Sequence, residues 1–123
     1  MNKQDFILVE NKSSKLAELL VQEIDKFPDS EEYLRLDDED RKSSGIVCGA
    51  FASYISRAYG EGDADLLLKK AFDTIEMLSS IQDVGVENLV VTEILENIHF
   101  DEFPELIQKL GNKSKALYDR WLT

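Results

Sequence analysis

The chain has 123 residues, of which 43% are hydrophobic and 32% are charged, and its formal net charge is −11. This composition is typical of a folded soluble domain and argues against a disordered acidic tail. The negative charge argues against direct binding to nucleic acid or to an anionic membrane, since both would repel the protein.

Cysteine usage and hydropathy predict a cytoplasmic, soluble protein. Cys48 is the only cysteine, so an intramolecular disulfide is excluded and a reducing compartment is the simpler interpretation. The apolar run at residues 6–9 is too short for the core of a signal peptide, and no stretch approaches the ~20 residues of a membrane span. Repulsion between carboxylates favours a monomer when the protein is free.

Apolar residues recur at helical spacing along most of the chain. The first clear helix is predicted at residues 14–27, where Pro28 ends it because a residue before proline disfavours helix. Residues 6–9 fit a short strand or a helical turn, and we favour helix since no partner strand is visible. Residues 29–40 fit either a short helix or an ordered loop.

The helix predicted at residues 41–59 is apolar nearly all round, which is typical of a central helix. Gly45, Gly49 and Ser53 recur every four residues along one edge. Small side chains there let another backbone approach closely, and the alternative is a tight dimer contact. The apolar stripe of this helix comprises Ile46, Val47, Ala50, Phe51, Tyr54, Ile55 and Ala58.

Two further long helices follow a turn at residues 60–63, in which Gly60 suits a C-cap and Asp63 an N-cap. The first covers residues 64–80 and exposes charges that include Glu76. The second starts after the N-cap Asp83 and reaches His99. Projection at 100° per residue places Glu93 and Glu96 opposite an apolar side. That side is formed by Val84, Val91, Ile94, Leu95 and Ile98.

Two short helices close the chain. Asp101 or Glu102 is expected to cap the first, and Gly111 ends it. Asn112 or Ser114 starts the last. Phe103, Leu117, Trp121 and Leu122 are expected to point inward. About six antiparallel helices therefore predict an all-α single domain over residues 1–123, either an irregular bundle or a short HEAT-like two-layer stack.

The acidity is concentrated in two segments. Residues 29–40 contain seven carboxylates and one arginine, and residues 83–105 contain seven carboxylates without Lys or Arg. Together they carry −13, so the rest of the chain is close to neutral. A concentrated negative surface attracts cationic proteins and accelerates their capture.

No pattern of catalytic or metal-binding residues accompanies this charge. Glu96 and His99 have the Glu-x-x-His spacing of helical di-iron sites, but such sites need a second histidine, and His99 is the only one. We expect His99 to be solvated or to cap a helix end. Cys48 lies in the most apolar helix and is expected to be an unreactive core residue. The sequence therefore predicts a non-enzymatic protein without a cofactor.

A binding surface for Lys and Arg is the functional hypothesis for the acidic segments. Tyr33 and Phe100 adjoin them, and aromatic rings among carboxylates would add cation–π contacts. The alternatives are a solvated turn for the acids and hydrophobic packing over helix ends for the two aromatics. The predicted partner-binding residues are Tyr33, Asp37, Asp38, Glu39, Asp40, Glu93, Glu96, Phe100, Asp101 and Glu102.

Two segments resemble a group of small, all-helical bacterial proteins of mostly unassigned function. They are Asn88-Leu89-Val90-Val91-Thr92-Glu93-Ile94-Leu95-Glu96-Asn97 and Leu110-Gly111-Asn112-Lys113-Ser114-Lys115-Ala116-Leu117-Tyr118-Asp119-Arg120-Trp121. Some members resemble immunity proteins encoded beside polymorphic toxins, including those of contact-dependent growth inhibition systems. The resemblance implies a cytosolic protein that binds one toxin tightly and blocks its active site, and it implies no catalytic residue.

The leading expectation is therefore an immunity protein that neutralises a basic toxin domain, with a nuclease as the expected kind of toxin. Charge complementarity suits that role, since it accelerates capture and disfavours wrong partners. The alternative is a helical adaptor or regulatory module that binds a cellular protein through a groove between helices.

Overall fold

The computed structural model describes residues 1–62 and 64–123, and all regular secondary structure in those residues is helical. The predicted all-α fold is thus confirmed. The longest helices are α2, α5 and α6. In chain order the α-helices are α1 (Lys3–Leu8), α2 (Lys12–Glu23), α3 (Glu31–Leu34), α4 (Asp38–Arg41), α5 (Ser44–Glu61), α6 (Asp65–Ser79), α7 (Val84–Leu89) and α8 (Asn112–Trp121).

The N-terminal third differs from the prediction in its helix ends. α1 confirms helix at residues 6–8, whereas Val9 is its extended C-cap, and Phe6 of α1 is fully buried. α2 stops at Glu23 rather than at residue 27, because a separate 3-10 turn, Phe27–Asp29, already forms around Pro28. The first acidic segment contains two short helices, α3 and α4.

The central position of α5 is confirmed. It packs against α2, α3, α4, α6 and the segment that continues α7. Ser43 caps it by accepting a hydrogen bond from the Ile46 backbone N–H at 3.2 Å. Gly62, with φ of +91°, forms the C-cap, so the assignment of that role to Gly60 was wrong. The predicted N-cap Asp63 lies outside the described residues.

α7 continues without a break into a π-helical segment, Val90–Ile94, and then a 3-10 turn, Leu95–Asn97. Asp83 caps α7 as predicted, with its carboxylate 3.0 Å from the Val86 backbone nitrogen. Val84, however, is 76% exposed, which contradicts its predicted apolar side. A π turn adds one residue, so the helix before it is rotated by about 100° relative to a regular projection.

Other side chains also lie outside their predicted environments. Ile46 is 45% exposed and Trp121 is 55% exposed, where Arg120 covers its ring at 5.0 Å. Neither Asp101 nor Glu102 caps the next element, a 3-10 helix (Pro104–Lys109) that follows Phe103 and has no side-chain cap. The buried core nevertheless follows the predicted stripes of α2, α5, α6 and the α7 continuation.

Glu76 anchors the last helix, although the sequence predicted an exposed position for it. Its carboxylate accepts hydrogen bonds from the backbone N–H groups of Lys113 and Ser114, each at 2.8 Å, and from the Ser114 hydroxyl at 2.8 Å. The partial burial of Glu76 raises its pKa, but these hydrogen bonds outweigh that effect and lower it overall. A carboxylate from α6 thus occupies the N-terminal end of α8.

Gly111 leaves the space that this carboxylate occupies, so Gly111→Ala is expected to destabilise the fold. A methyl group there would lie 2.5 Å from the Glu76 carboxyl carbon, and Glu76 would have to give up hydrogen bonds to α8. We expect a loss of about 1–2 kcal/mol in the free energy of unfolding, measured by urea denaturation.

Gly49→Ala is the matched control, because a methyl group there would be 3.9 Å from Asn97 Nδ2, an ordinary contact. Glycine inside a helix costs about 0.5–1 kcal/mol relative to alanine, so this variant should be more stable than wild type. Equal stabilities of the Gly111→Ala variant and wild type would show that α8 does not depend on the Glu76 position.

Candidate functional site

One edge of α5 is accessible, and most of its side chains are small. Ser53 and the larger Ile46 are exposed along this edge, and Gly45, Gly49 and Ala50 are partly covered. Most of the remaining circumference of α5 is buried, including Val47, Phe51 and Ile55 with no exposure. This edge is therefore the only broad part of the helix that another molecule can reach within its described surroundings.

The first acidic segment lies on one flank of this edge, because α3 and α4 both pack against α5. Asp37 and Asp40 form a capping box: the Asp40 N–H donates to the Asp37 carboxylate at 2.8 Å, and the reverse contact is 3.4 Å. Asp38 and Glu39 are exposed beside them. The cap holds part of the predicted partner-binding acids in one fixed arrangement.

The second acidic segment forms another flank of this edge. The π-helical segment packs against α5, and Glu93 lies beside its glycines. A methyl group on Gly45 or Gly49 would lie 3.9 Å or 4.0 Å from the Glu93 carboxyl group. The predicted close approach at this edge is thus made by side chains, mainly Glu93 and Asn97. Because Gly45 is two residues from the cap Ser43, Glu93 lies towards the end of α5 that follows α4.

Asp101 and Glu102 lie towards the other end of the same edge. The His99 backbone N–H donates to the Ser56 hydroxyl at 3.1 Å, so the chain reaches the later turns of α5 here. At 1.5 Å per residue, Ser56 is roughly 16 Å along the axis from Gly45. The chain around Glu93 thus lies towards the α4 end of α5, whereas Asp101 and Glu102 lie towards the end at which Glu31 and Glu32 contact Arg57.

One of the two predicted aromatic contacts needs correction. Phe100 is only 6% exposed and packs edge-to-face on Tyr118, with ring centroids 5.1 Å apart, so it offers little accessible surface. Tyr33 is partly exposed, its ring contacts Phe27 at 5.2 Å, and the chain's own Arg41 lies 4.6 Å from its centroid. The predicted role of Tyr33 therefore stays a prediction.

A partly buried ion pair that was not predicted from the sequence joins α3 to α5. Arg57 donates to both carboxylate oxygens of Glu32, at 2.7 and 3.0 Å, and also contacts Glu31 at 3.0 Å and Glu61 at 2.9 Å. Arg57 is the only charged residue in α5 before Glu61, and a single charge in so apolar a helix was the available signal. Part of the first acidic segment is therefore neutralised internally.

The predicted partner-binding acids make few ion pairs within the chain. Glu39 contacts Lys42 at 3.4 Å, and Glu102 lies 3.6 Å from the His99 ring, which is charged only when protonated. Within residues 1–62 and 64–123, six of the predicted partner-binding acids have no Lys, Arg or His nitrogen within 4.0 Å. They are Asp37, Asp38, Asp40, Glu93, Glu96 and Asp101.

A family model matches residues 18–123, which is most of the chain. The chain belongs to the DUF7674 family, a domain of unknown function. This agrees with the expected resemblance to proteins of mostly unassigned function, and it carries no link to immunity proteins. Comparisons with curated proteins and with solved structures find no match.

Two further kinds of site concern the described part of this DUF7674 member: a metal site and a membrane-spanning helix. No group of three His, Cys, Asp or Glu side chains there is arranged to hold a metal ion. None of the described helices combines the length and apolar character that crossing a membrane requires. His99 is exposed at the end of the α7 continuation, as expected from the sequence.

Cys48 is expected to resist thiol reagents in the folded protein. Its side chain is fully buried, and burial, followed by the nearby charge of Glu93, raises the pKa of the thiol to about 12. At neutral pH the reactive thiolate is therefore scarce. Labelling with a chromogenic disulfide should be slow in buffer and fast in urea; equal rates would contradict the buried position.

Glu32→Gln is expected to lower the free energy of unfolding at neutral pH by about 2 kcal/mol, because it breaks a buried, doubly hydrogen-bonded contact to Arg57. Burial raises the Glu32 pKa, but hydrogen bonds from Arg57 outweigh burial, and the net pKa lies below its usual 4.5. The stabilisation is thus present above that usual value and is lost as pH falls through the folded pKa.

Chemical denaturation across acidic pH measures this effect. Between about pH 5 and pH 3, wild type should lose stability more steeply than Glu32→Gln. The control is Glu39→Gln, whose side chain is 85% exposed and should change stability by less than about 0.5 kcal/mol. Parallel pH profiles for wild type and Glu32→Gln would contradict the assigned role of this pair.

Proposed function

We propose that this protein binds a basic protein domain through the acidic edge of α5, and that it acts as an immunity protein against a basic toxin of the nuclease type. The observation that carries the proposal is the position of Glu93. Its carboxyl group lies beside Gly45 and Gly49, and α3 and α4 pack against the same helix. Two acidic segments that are distant in sequence therefore adjoin α5, whose exposed edge is the strip that we propose for the partner.

The charge on this strip suits a basic partner. Six predicted contact acids have no Lys, Arg or His nitrogen within 4.0 Å in the described residues, so no ion pair within the chain neutralises their charge. A nuclease surface that binds phosphate groups is basic. Carboxylates that approach it would compete with the nucleic acid and would accelerate association through long-range attraction.

The strip also has an apolar contact point. Ile46 is 45% exposed between the acidic flanks, and its neighbours along the edge are small. A central apolar side chain surrounded by polar residues is the usual arrangement of a binding hot spot. Ile46 thus adds a short-range contribution that slows dissociation, whereas the acids act mainly on the association rate.

A helical adaptor is the second candidate, and the exposed apolar residues favour it. Leu34 is 61% exposed on α3. Together with Ile46, it gives the first acidic flank two apolar side chains that a hydrophobic partner can contact. Binding of that kind would depend little on salt, since apolar burial is not screened. The salt dependence of association therefore separates the two candidates.

The first test is co-purification with the product of the adjacent upstream gene, followed by stopped-flow measurement of association. We expect nanomolar or tighter binding and an association rate constant that falls at least about ten-fold from low to high salt. The double variant Asp38→Asn with Glu93→Gln should slow association several-fold at low salt, with little change at high salt.

The double variant Glu10→Gln with Asp25→Asn is the matched control, because both are exposed acids outside the two acidic segments. It removes the same two negative charges and should leave association nearly unchanged. If the control slowed association as much as Asp38→Asn with Glu93→Gln does, net charge alone would explain the effect, and the acidic edge would have no specific role. Failure to bind the neighbouring gene product would contradict the immunity role, and tight but salt-independent binding would favour the adaptor.

A further inference from the structure

A pocket of about 320 Å³ lies apart from the acidic edge, at the C-terminal end of α5. The last turn of α5, the first turn of α6 and the 3-10 helix Pro104–Lys109 surround it. Its volume is at the lower end of the range for small-molecule sites. The described lining residues are Tyr59, Gly60, Gly62, Ala64, Asp65, Leu68, Phe103 and Glu105.

Two aromatic rings form one wall of the pocket. Tyr59 and Phe103 meet edge-to-face, with centroids 5.1 Å apart and ring planes at 75°. Gly60 allows this arrangement, since a methyl group there would lie only 3.2 Å from Phe103 Cζ. Two rings at a large angle present π faces in different directions within one small space.

The charged groups of the described lining are both carboxylates, Asp65 and Glu105. Neither has a Lys or Arg nitrogen within 4.0 Å among residues 1–62 and 64–123. Burial, followed by the neighbouring Glu105 carboxylate, raises the pKa of the Tyr59 phenol, which is consistent with a negative local potential. An anionic ligand would therefore be repelled.

We infer that this pocket binds an organic cation, an alkylammonium or guanidinium group, between its aromatic wall and its carboxylates. Such a cation gains from the negative face of an aromatic ring and from nearby carboxylates at once. A divalent metal ion fits less well, because the described residues offer no group of three ligating side chains. Leu68 and Ala64 add the apolar contacts that an organic group needs and a hydrated ion does not.

The cation can belong to a free small amine or to an arginine or lysine side chain of a protein partner. Both sources share the chemistry that the pocket recognises. The inference does not depend on the proposed immunity function, since a small probe can bind in the absence of a toxin. If the pocket does not bind organic cations, the proposed role of the acidic edge of α5 still stands. If the edge does not bind a basic partner, the inference about the pocket still stands.

The test is a two-dimensional amide NMR titration of the full chain with methylguanidinium chloride and with tetramethylammonium chloride. Sodium chloride at equal ionic strength and neutral urea are the reference titrants. We expect saturable millimolar binding of the organic cations that shifts the amide signals of Gly60, Gly62, Leu68 and Phe103, and no saturation with either reference titrant.

Glu105→Gln removes one carboxylate from the exposed side of the pocket and should weaken binding about five-fold, which corresponds to roughly 1 kcal/mol. Phe103→Leu should weaken it by at least as much. Glu10→Gln is the control, because Glu10 is exposed and lies outside the pocket lining. Glu105→Gln replaces an exposed side chain, so it keeps the inference testable if Phe103→Leu does not fold.

A short arginine peptide with blocked ends distinguishes the two sources. Binding of the peptide as tight as that of methylguanidinium supports a side chain of a partner, and weaker binding of the peptide supports a free amine. Two results would overturn the inference. One is an equal response to sodium; the other is binding that neither Glu105→Gln nor Phe103→Leu changes, which would indicate counter-ions spread over an acidic surface.

Discussion

Burial of α5 on all sides but one is the constraint that the rest of the fold satisfies. Before Glu61 this helix carries a single charged residue, Arg57, so its neighbours must supply apolar surface along nearly its whole length. α2, α6 and the π-helical segment do so directly. α3 is acidic and fits only because Glu32 meets Arg57 at the boundary of the buried region. The open side of α5 is what remains when these contacts are complete.

This arrangement explains how a protein of net charge −11 keeps a stable interior. Two internal contacts offset the charge of carboxylates that lie between packed elements. Arg57 does so for Glu32 of α3, and the backbone N–H groups at the start of α8 do so for Glu76. Carboxylate charge is left without an ion pair at Glu93, which is partly covered, and at Asp38 of α4, which is exposed. The internal hydrogen bonds stabilise the fold, whereas the exposed acids cost some stability and give the surface its long-range attraction.

The sequence predicted the helical class, the central helix and most of the core, because those features follow from the period of apolar residues. It did not predict the environments of Val84 and Glu76. Val84 depends on a π turn, which leaves no signal in a regular helical projection. Glu76 depends on a contact with α8, far away in the sequence. Projection did place Glu93 and Glu96 away from the apolar side, but only the tertiary packing relates Glu93 to Gly45. The environment of Phe100 was predicted wrongly, because a hydrophobic residue beside acidic residues gives the same sequence pattern whether its side chain is buried or accessible.

The π-helical segment has a consequence for how such a surface can diversify. A one-residue insertion inside a helix turns the part before it by about 100° relative to a regular projection. The register of this single turn therefore helps to decide which side chain lies beside Gly45 and which side chains before the turn face the core. A one-residue insertion or deletion at Val90–Ile94 would change the core contacts of α7 together with the surface.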